Sequence, residues 1–85
     1  MSIPNLSDEQ QKIVDCLYNA WQTRPDGIGL GEHELAEQTK LDMNDLVKEV
    51  QRLKARGIIA TGYGSDDDRF GHAWLADFGR ELREG

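Results

Sequence analysis

The chain has 85 residues, 38% of them hydrophobic, with two each of Trp, Tyr and Phe: enough to fill one modest core, and an expectation of a single domain over 1–85. Ten Lys and Arg stand against sixteen Asp and Glu, giving a formal charge of −6. That excludes binding to nucleic acid or an anionic membrane by bulk attraction, because the long-range field repels phosphate. Any contact with DNA has to rest on a local basic patch. Apolar runs are short, and the N-terminus MSIPNLSDEQ lacks the basic and apolar regions of a signal peptide, so a soluble, cytoplasmic chain with no membrane partner is expected. Cys16 is the one cysteine, which rules out an internal disulfide or a Cys-rich metal site. With Asp15 beside it, Cys16 reads as a structural residue on a helix flank, not a reactive thiol.

Ser7 followed by Asp8, Glu9 and Gln10 has the form of a capping box and predicts a helix from about residue 8 to 22. Ile13, Val14, Leu17 and Trp21 make its apolar stripe, with Tyr18 on the edge, and Arg24-Pro25-Asp26-Gly27 stops it. Ile28-Gly29-Leu30 is a short strand or extended linker. Glu32 to Thr39 is a second, short helix burying Leu35 and Ala36. After the connection Leu41-Asp42-Met43-Asn44, in which Asp42 is the N-cap, a third helix runs from about Met43 to Arg56. Its apolar face carries Met43, Leu46, Val47, Val50 and Leu53. The opposite face carries Asn44, Asp45, Lys48, Gln51, Arg52 and Ala55. Gly57 ends the helix as a residue able to adopt the left-handed conformation.

Two strand-like runs follow, Ile58 to Tyr63 and Arg69 to Leu75, around the turn Gly64-Ser65-Asp66-Asp67-Asp68, and predict a β-hairpin. Asp77 to Glu84 closes the chain as a short helix expected to bury Phe78 and Leu82. The fold class is therefore α+β, mainly α, with a three-helix core, a hairpin and a short C-terminal helix.

In this order the segment LAEQTKLDMNDLVKEVQRLKARGII resembles the helix-turn-helix and recognition helix of winged-helix transcriptional regulators of the MarR, PadR and ArsR-like kind. HAWLADFGRELRE resembles their second wing strand and closing helix. The resemblance covers nearly the whole chain and implies a winged helix-turn-helix that binds double-stranded DNA, with the third helix in the major groove. Two positions depart from the pattern. Lys40 stands where a Gly is usual in the turn, and Ala76 where a Thr usually caps the last helix, leaving Asp77 as the candidate cap.

On that footing Asn44, Lys48, Gln51 and Arg52 are the candidate DNA contacts: Asn and Gln suit adenine, Lys and Arg suit guanine or phosphate. Periodicity alone leaves a second reading open, in which they are the solvated face of an amphipathic helix. From Asp42 to Gly57, four cations face three carboxylates. The hairpin instead carries Asp66, Asp67 and Asp68 against Arg69, so Arg69 is its one candidate phosphate contact. The acidic turn supports an alternative, a protein-interaction winged helix that docks a basic partner or mimics DNA. Tyr18, Trp21 and Trp74 offer apolar surface for a homodimer.

No other chemistry is indicated. The three aspartates lack the alternating spacing of a calcium loop, and His33 and His72 have no partner at metal-ligand spacing. Gly27, Gly29 and Gly31 lie outside any strand-to-helix phosphate loop, and no nucleophile sits in a recognisable setting. The expectation is a non-enzyme without metal or cofactor.

Overall fold

The computed structural model describes residues 6–24, 27, 29–64 and 69–84; Ile28 and the Asp66–Asp68 turn lie outside the described residues. The elements run α1 (Asp8–Thr23), β1 (Leu30–Gly31), α2 (Glu32–Thr39), α3 (Met43–Ala55), β2 (Ile59–Gly62), β3 (His72–Leu75) and α4 (Asp77–Glu84).

Each helix starts or stops where its local chemistry requires. Ser7 Oγ accepts the N–H of Gln10, and Gln10 Oε1 accepts that of Ser7, both at 3.2 Å, closing the capping box of α1. Asp42 accepts the N–H of Asn44 at 3.2 Å and caps α3. At the other end of α3 the N–H of Gly57 bonds to the carbonyl of Lys54 and that of Ile58 to Leu53, the paired bonds of a Schellman turn. Gly57 makes this possible with φ +77°. Because Ile58 is used in that turn, β2 begins one residue later.

Three antiparallel strands lie in the order β1-β3-β2. Ile59 pairs with Leu75 and Thr61 with Ala73, while Ala60 and Trp74 share the opposite face. Ile59, Ala73 and Leu75 pack on Ile13, Val14 and Leu17 of α1, Leu35 of α2, and Leu46, Val50 and Leu53 of α3, all of them buried. This core holds α3 against the sheet with its polar face outward.

α4 differs from expectation in its rotation. Phe78 is 52% exposed, whereas Gly79 is buried, because Gly79 lets the helix backbone close directly onto the carbonyl of Ile58. Leu82 is half-buried against the core. Asp77 is the first residue of the helix instead of its cap, and its carboxylate pairs with Arg80 at 2.9 Å.

Candidate nucleic-acid interface

The turn between α2 and α3 is shaped by two residues. Lys40 takes the left-handed conformation, φ +61°, as the glycine usual there would. Thr39 is buried, its hydroxyl donating to the carbonyl of Leu35 at 2.7 Å and accepting the N–H of Leu41 at 3.4 Å. The Thr39 hydroxyl thereby satisfies the Leu41 amide from within the turn.

Asn44, Lys48, Gln51 and Arg52 are all exposed on α3. They are not equivalent. At ~100° per residue Asn44, Lys48, Gln51 and Ala55 form one stripe opposite Leu46 and Leu53, and Arg52 lies about 60° to one side. On that side Arg52 Nη1 donates to Glu49 Oε1 at 2.8 Å. Glu49, which the helical pattern did not place on either face, is a buried carboxylate with a side chain only 11% exposed. A shallow groove of about 280 Å³ is lined there by Glu9, Leu41, Asp45, Lys48, Glu49 and Arg52.

Arg69 is exposed three residues ahead of β3. Its backbone is fixed from an unexpected direction. The buried Glu32, first residue of α2, accepts the N–H groups of Arg69 and Phe70 on one carboxylate oxygen, each at 2.8 Å. In return the N–H of Glu32 donates to the carbonyl of Gly71 at 3.0 Å. These bonds explain why β3 starts at His72 and not at Arg69: the amides of Arg69 and Phe70 are held by α2.

A second concave region, about 380 Å³, lies between the C-terminal turn of α1, the sheet and α4, with Trp21, Arg24, Trp74 and Arg80 among its lining residues. Beside it α4 is fastened to α1: Arg80 lies over the Trp21 ring and Arg83 over the Tyr18 ring, both at 4.7 Å, and Arg83 pairs with Asp15 at 3.2 Å. Tyr18 and Trp21, considered above as dimer surface, are therefore half-buried within one chain. Burial, and then the Asp15 carboxylate, push the Cys16 thiol up from the ordinary range. His33 is exposed on α2 and His72 half-buried on β3. Among the described residues no group of three or more His, Cys, Asp or Glu is placed to hold a metal ion. No helix there is long and apolar enough to cross a membrane.

Glu32 and Glu49 are the two residues of the candidate site that the sequence pattern did not single out. An acidic residue in the first turn of α2 is explained by the helix dipole alone, which hides the second duty of Glu32. Glu49 could have been found from the wheel, where it falls nearer to Leu53 than to Lys48.

Three helices with a turn between the second and third, followed by a β-hairpin and a closing helix, define a winged helix-turn-helix. Solved structures carry the same fold. A protein of Ralstonia eutropha JMP134 assigned provisionally to DNA binding superposes with a TM-score of 0.79 at 20% identity, over 92% of this chain and 93% of that one. A point variant of MepR from S. aureus gives 0.74 at 20% identity, over 94% of this chain and 55% of that one. BpsR of Bordetella bronchiseptica, whose DNA binding is regulated by 6-hydroxynicotinic acid, gives 0.71 at 25% identity, over 95% of this chain and 53% of that one. MepR and BpsR are MarR-family winged-helix regulators, and the chain spans about half their length. No family model and no curated protein matches the sequence.

Proposed function

We propose that this chain is a DNA-binding transcriptional regulator that reads the major groove with α3. The observation that carries this reading is the outward stripe of α3, where Asn44, Lys48 and Gln51, with Arg52 on its flank, present hydrogen-bonding side chains to solvent on a helix about the width of the major groove. Arg69 is the wing's contribution, a phosphate contact whose backbone is set by Glu32. One recognition helix covers only a few base pairs, so the reading includes a homodimer. Light scattering at micromolar concentration tests that part, and a single 9.6 kDa species would remove it.

Binding to mixed genomic fragments across a salt series tests the whole. Affinity should fall steeply as salt rises, and Lys48→Ala should weaken it. A folded protein that ignores DNA at low salt would sink the reading. The net charge of −6 favours one alternative, a winged helix that docks a basic protein through its acidic surface. Replacement of Asp66, Asp67 and Asp68 by Ser separates the two: improved DNA binding fits the regulator, and loss of a protein partner fits the alternative.

A further inference from the structure

Arg52 is held by a partner on its own helix before anything binds. Glu49 sits three residues earlier with its side chain 11% exposed, and a carboxylate so far removed from water needs a partner. Arg52 supplies one with a single Nη1 donor at 2.8 Å. A guanidinium has five N–H donors in a rigid fork, and the Arg52 side chain is still 61% exposed, so donors remain for a second acceptor outside the helix.

The surroundings select what that acceptor can be. Glu9 from α1, with Asp45 and Glu49, lines the same groove as Arg52. The Arg52 guanidinium and the Lys48 ammonium stand against these three carboxylates, so the groove stays net negative and is a poor clamp for phosphate, whose charge it repels. A guanine edge carries two acceptors, O6 and N7, and no net charge, so it escapes that repulsion while matching the fork. Glu49 itself is too buried to reach a base. What it does is remove the freedom of the Arg52 side chain beforehand, so that less ordering remains to be done on binding.

We propose that Glu49 is a buttress that fixes Arg52 for recognition of a guanine in the major groove, so that on this flank of α3 specificity belongs to the pair. The proposal rests on α3 being the reading helix. Glu49 is thus a positioning residue, and Arg52 is the contact.

The experiment selects bound duplexes from a pool randomised over ten positions and sequences them, using the full chain as wild type, Glu49→Gln, Arg52→Lys, Arg52→Ala and the Glu49→Gln/Arg52→Ala double variant. The wild type should enrich a motif containing one guanine that both Arg52 variants lose. Glu49→Gln should weaken preference at that same position by about fivefold or more, leave the other positions intact, and add nothing once Arg52 is Ala. In the DNA-free protein the ion pair should slow solvent exchange and bond rotation of the Arg52 side-chain N–H groups, and Glu49→Gln should speed both. If Glu49→Gln keeps the full guanine preference, or Arg52→Ala changes no position, the proposal falls while the reading of α3 stands. A wild type that enriches no motif removes both. Should Glu49→Gln fail to fold, Arg52→Lys decides: it retains the charge facing Glu49 and lacks the fork, so an undiminished guanine preference would overturn the proposal.

Discussion

The carboxylate of Glu32 accepts the backbone N–H of Phe70, 38 residues further along the chain, at 2.8 Å, and takes that of Arg69 on the same oxygen. A charged acceptor serving two amides while almost fully buried is stronger than a neutral one and harder to replace. Glu32→Ala should lower unfolding free energy by about 2–4 kcal/mol, and Glu32→Gln, which keeps an acceptor oxygen, by roughly half that. Urea denaturation measures both, and hydrogen exchange should accelerate at Arg69 and Phe70 well before the α3 amides respond. A Glu32→Ala protein within about 0.5 kcal/mol of wild type would show that the latch contributes nothing.

Gly79 and Gly57 predict opposite outcomes for the same substitution. A Cβ on Gly79 would overlap the carbonyl of Ile58, so Gly79→Ala must push α4 off the sheet and should cost several kcal/mol, on the order of a severe overpacking. At Gly57 the nearest atom to a new Cβ is Phe78 Cδ2 at 3.8 Å, so only the left-handed backbone resists. Gly57→Ala should cost about 1–2 kcal/mol. Thermal melts of the two variants check the order.

Lys40 pays a conformational penalty that a glycine would not. Its φ of +61° is disfavoured for any side chain with a Cβ, by about 1–2 kcal/mol, part of which returns as extra freedom of a glycine in the unfolded chain. Lys40→Gly should therefore stabilise the fold by up to about 1 kcal/mol, read as a higher melting temperature. A lower one would mean that the lysine side chain supports the turn.

Cys16 should resist alkylation. Its raised thiol pKa keeps it protonated at a pH where an ordinary cysteine is already partly thiolate, so labelling of the folded chain should lag behind the denatured chain and accelerate as pH climbs past the ordinary value. The linked stability has the same sign: it is present below the unfolded-state value and is lost as pH rises through the folded one. Equal labelling rates for folded and denatured chains would contradict the burial of this thiol.

If the chain binds DNA as proposed, with Arg69 on phosphate and Gln51 on a base, the two contacts should separate by type. Arg69→Ala removes a phosphate partner and should weaken binding to all sequences alike, lowering the salt slope by about 1. Gln51→Ala removes a base contact and should change sequence preference with the salt slope unaltered. A fluorescence-anisotropy salt series on a selected duplex and on a scrambled one distinguishes them, and identical effects of the two variants would refute the division.

The elements were legible in the sequence because their ends are written in local chemistry. Ser7 with Gln10, Asp42 and Gly57 each act on groups two to five residues away, and the bounds of α2 and α4 follow the reading residue for residue. The outward stripe of α3 was legible for the same reason, since helical periodicity is also local. What could not be read depends on residues far apart. Glu32 meets Phe70 only after the hairpin has folded against α2, and Phe78 stays in solvent because Gly79 fits against Ile58, a contact with no signature in the helix itself. Glu49 lies between these cases: its spacing from Arg52 suggests a surface pair, whereas its place on the wheel, nearer to Leu53 than to Lys48, points to the core side on which it is buried.

The aromatic pairs give this chain a built-in optical reporter. Each of its two tyrosines lies against one of its two tryptophans, Tyr18 with Trp21 at 5.8 Å and Tyr63 with Trp74 at 5.7 Å between ring centres. At such separations excitation of tyrosine passes to the indole, so the folded protein should emit as though it contained tryptophan alone. Tyr18 and Trp21 remain three residues apart even in a denatured chain, whereas Tyr63 and Trp74 are brought together only by the pairing of β2 with β3. Tyrosine emission that appears during unfolding is therefore chiefly a signal from the wing, and it allows the opening of the hairpin to be timed against the loss of the helices.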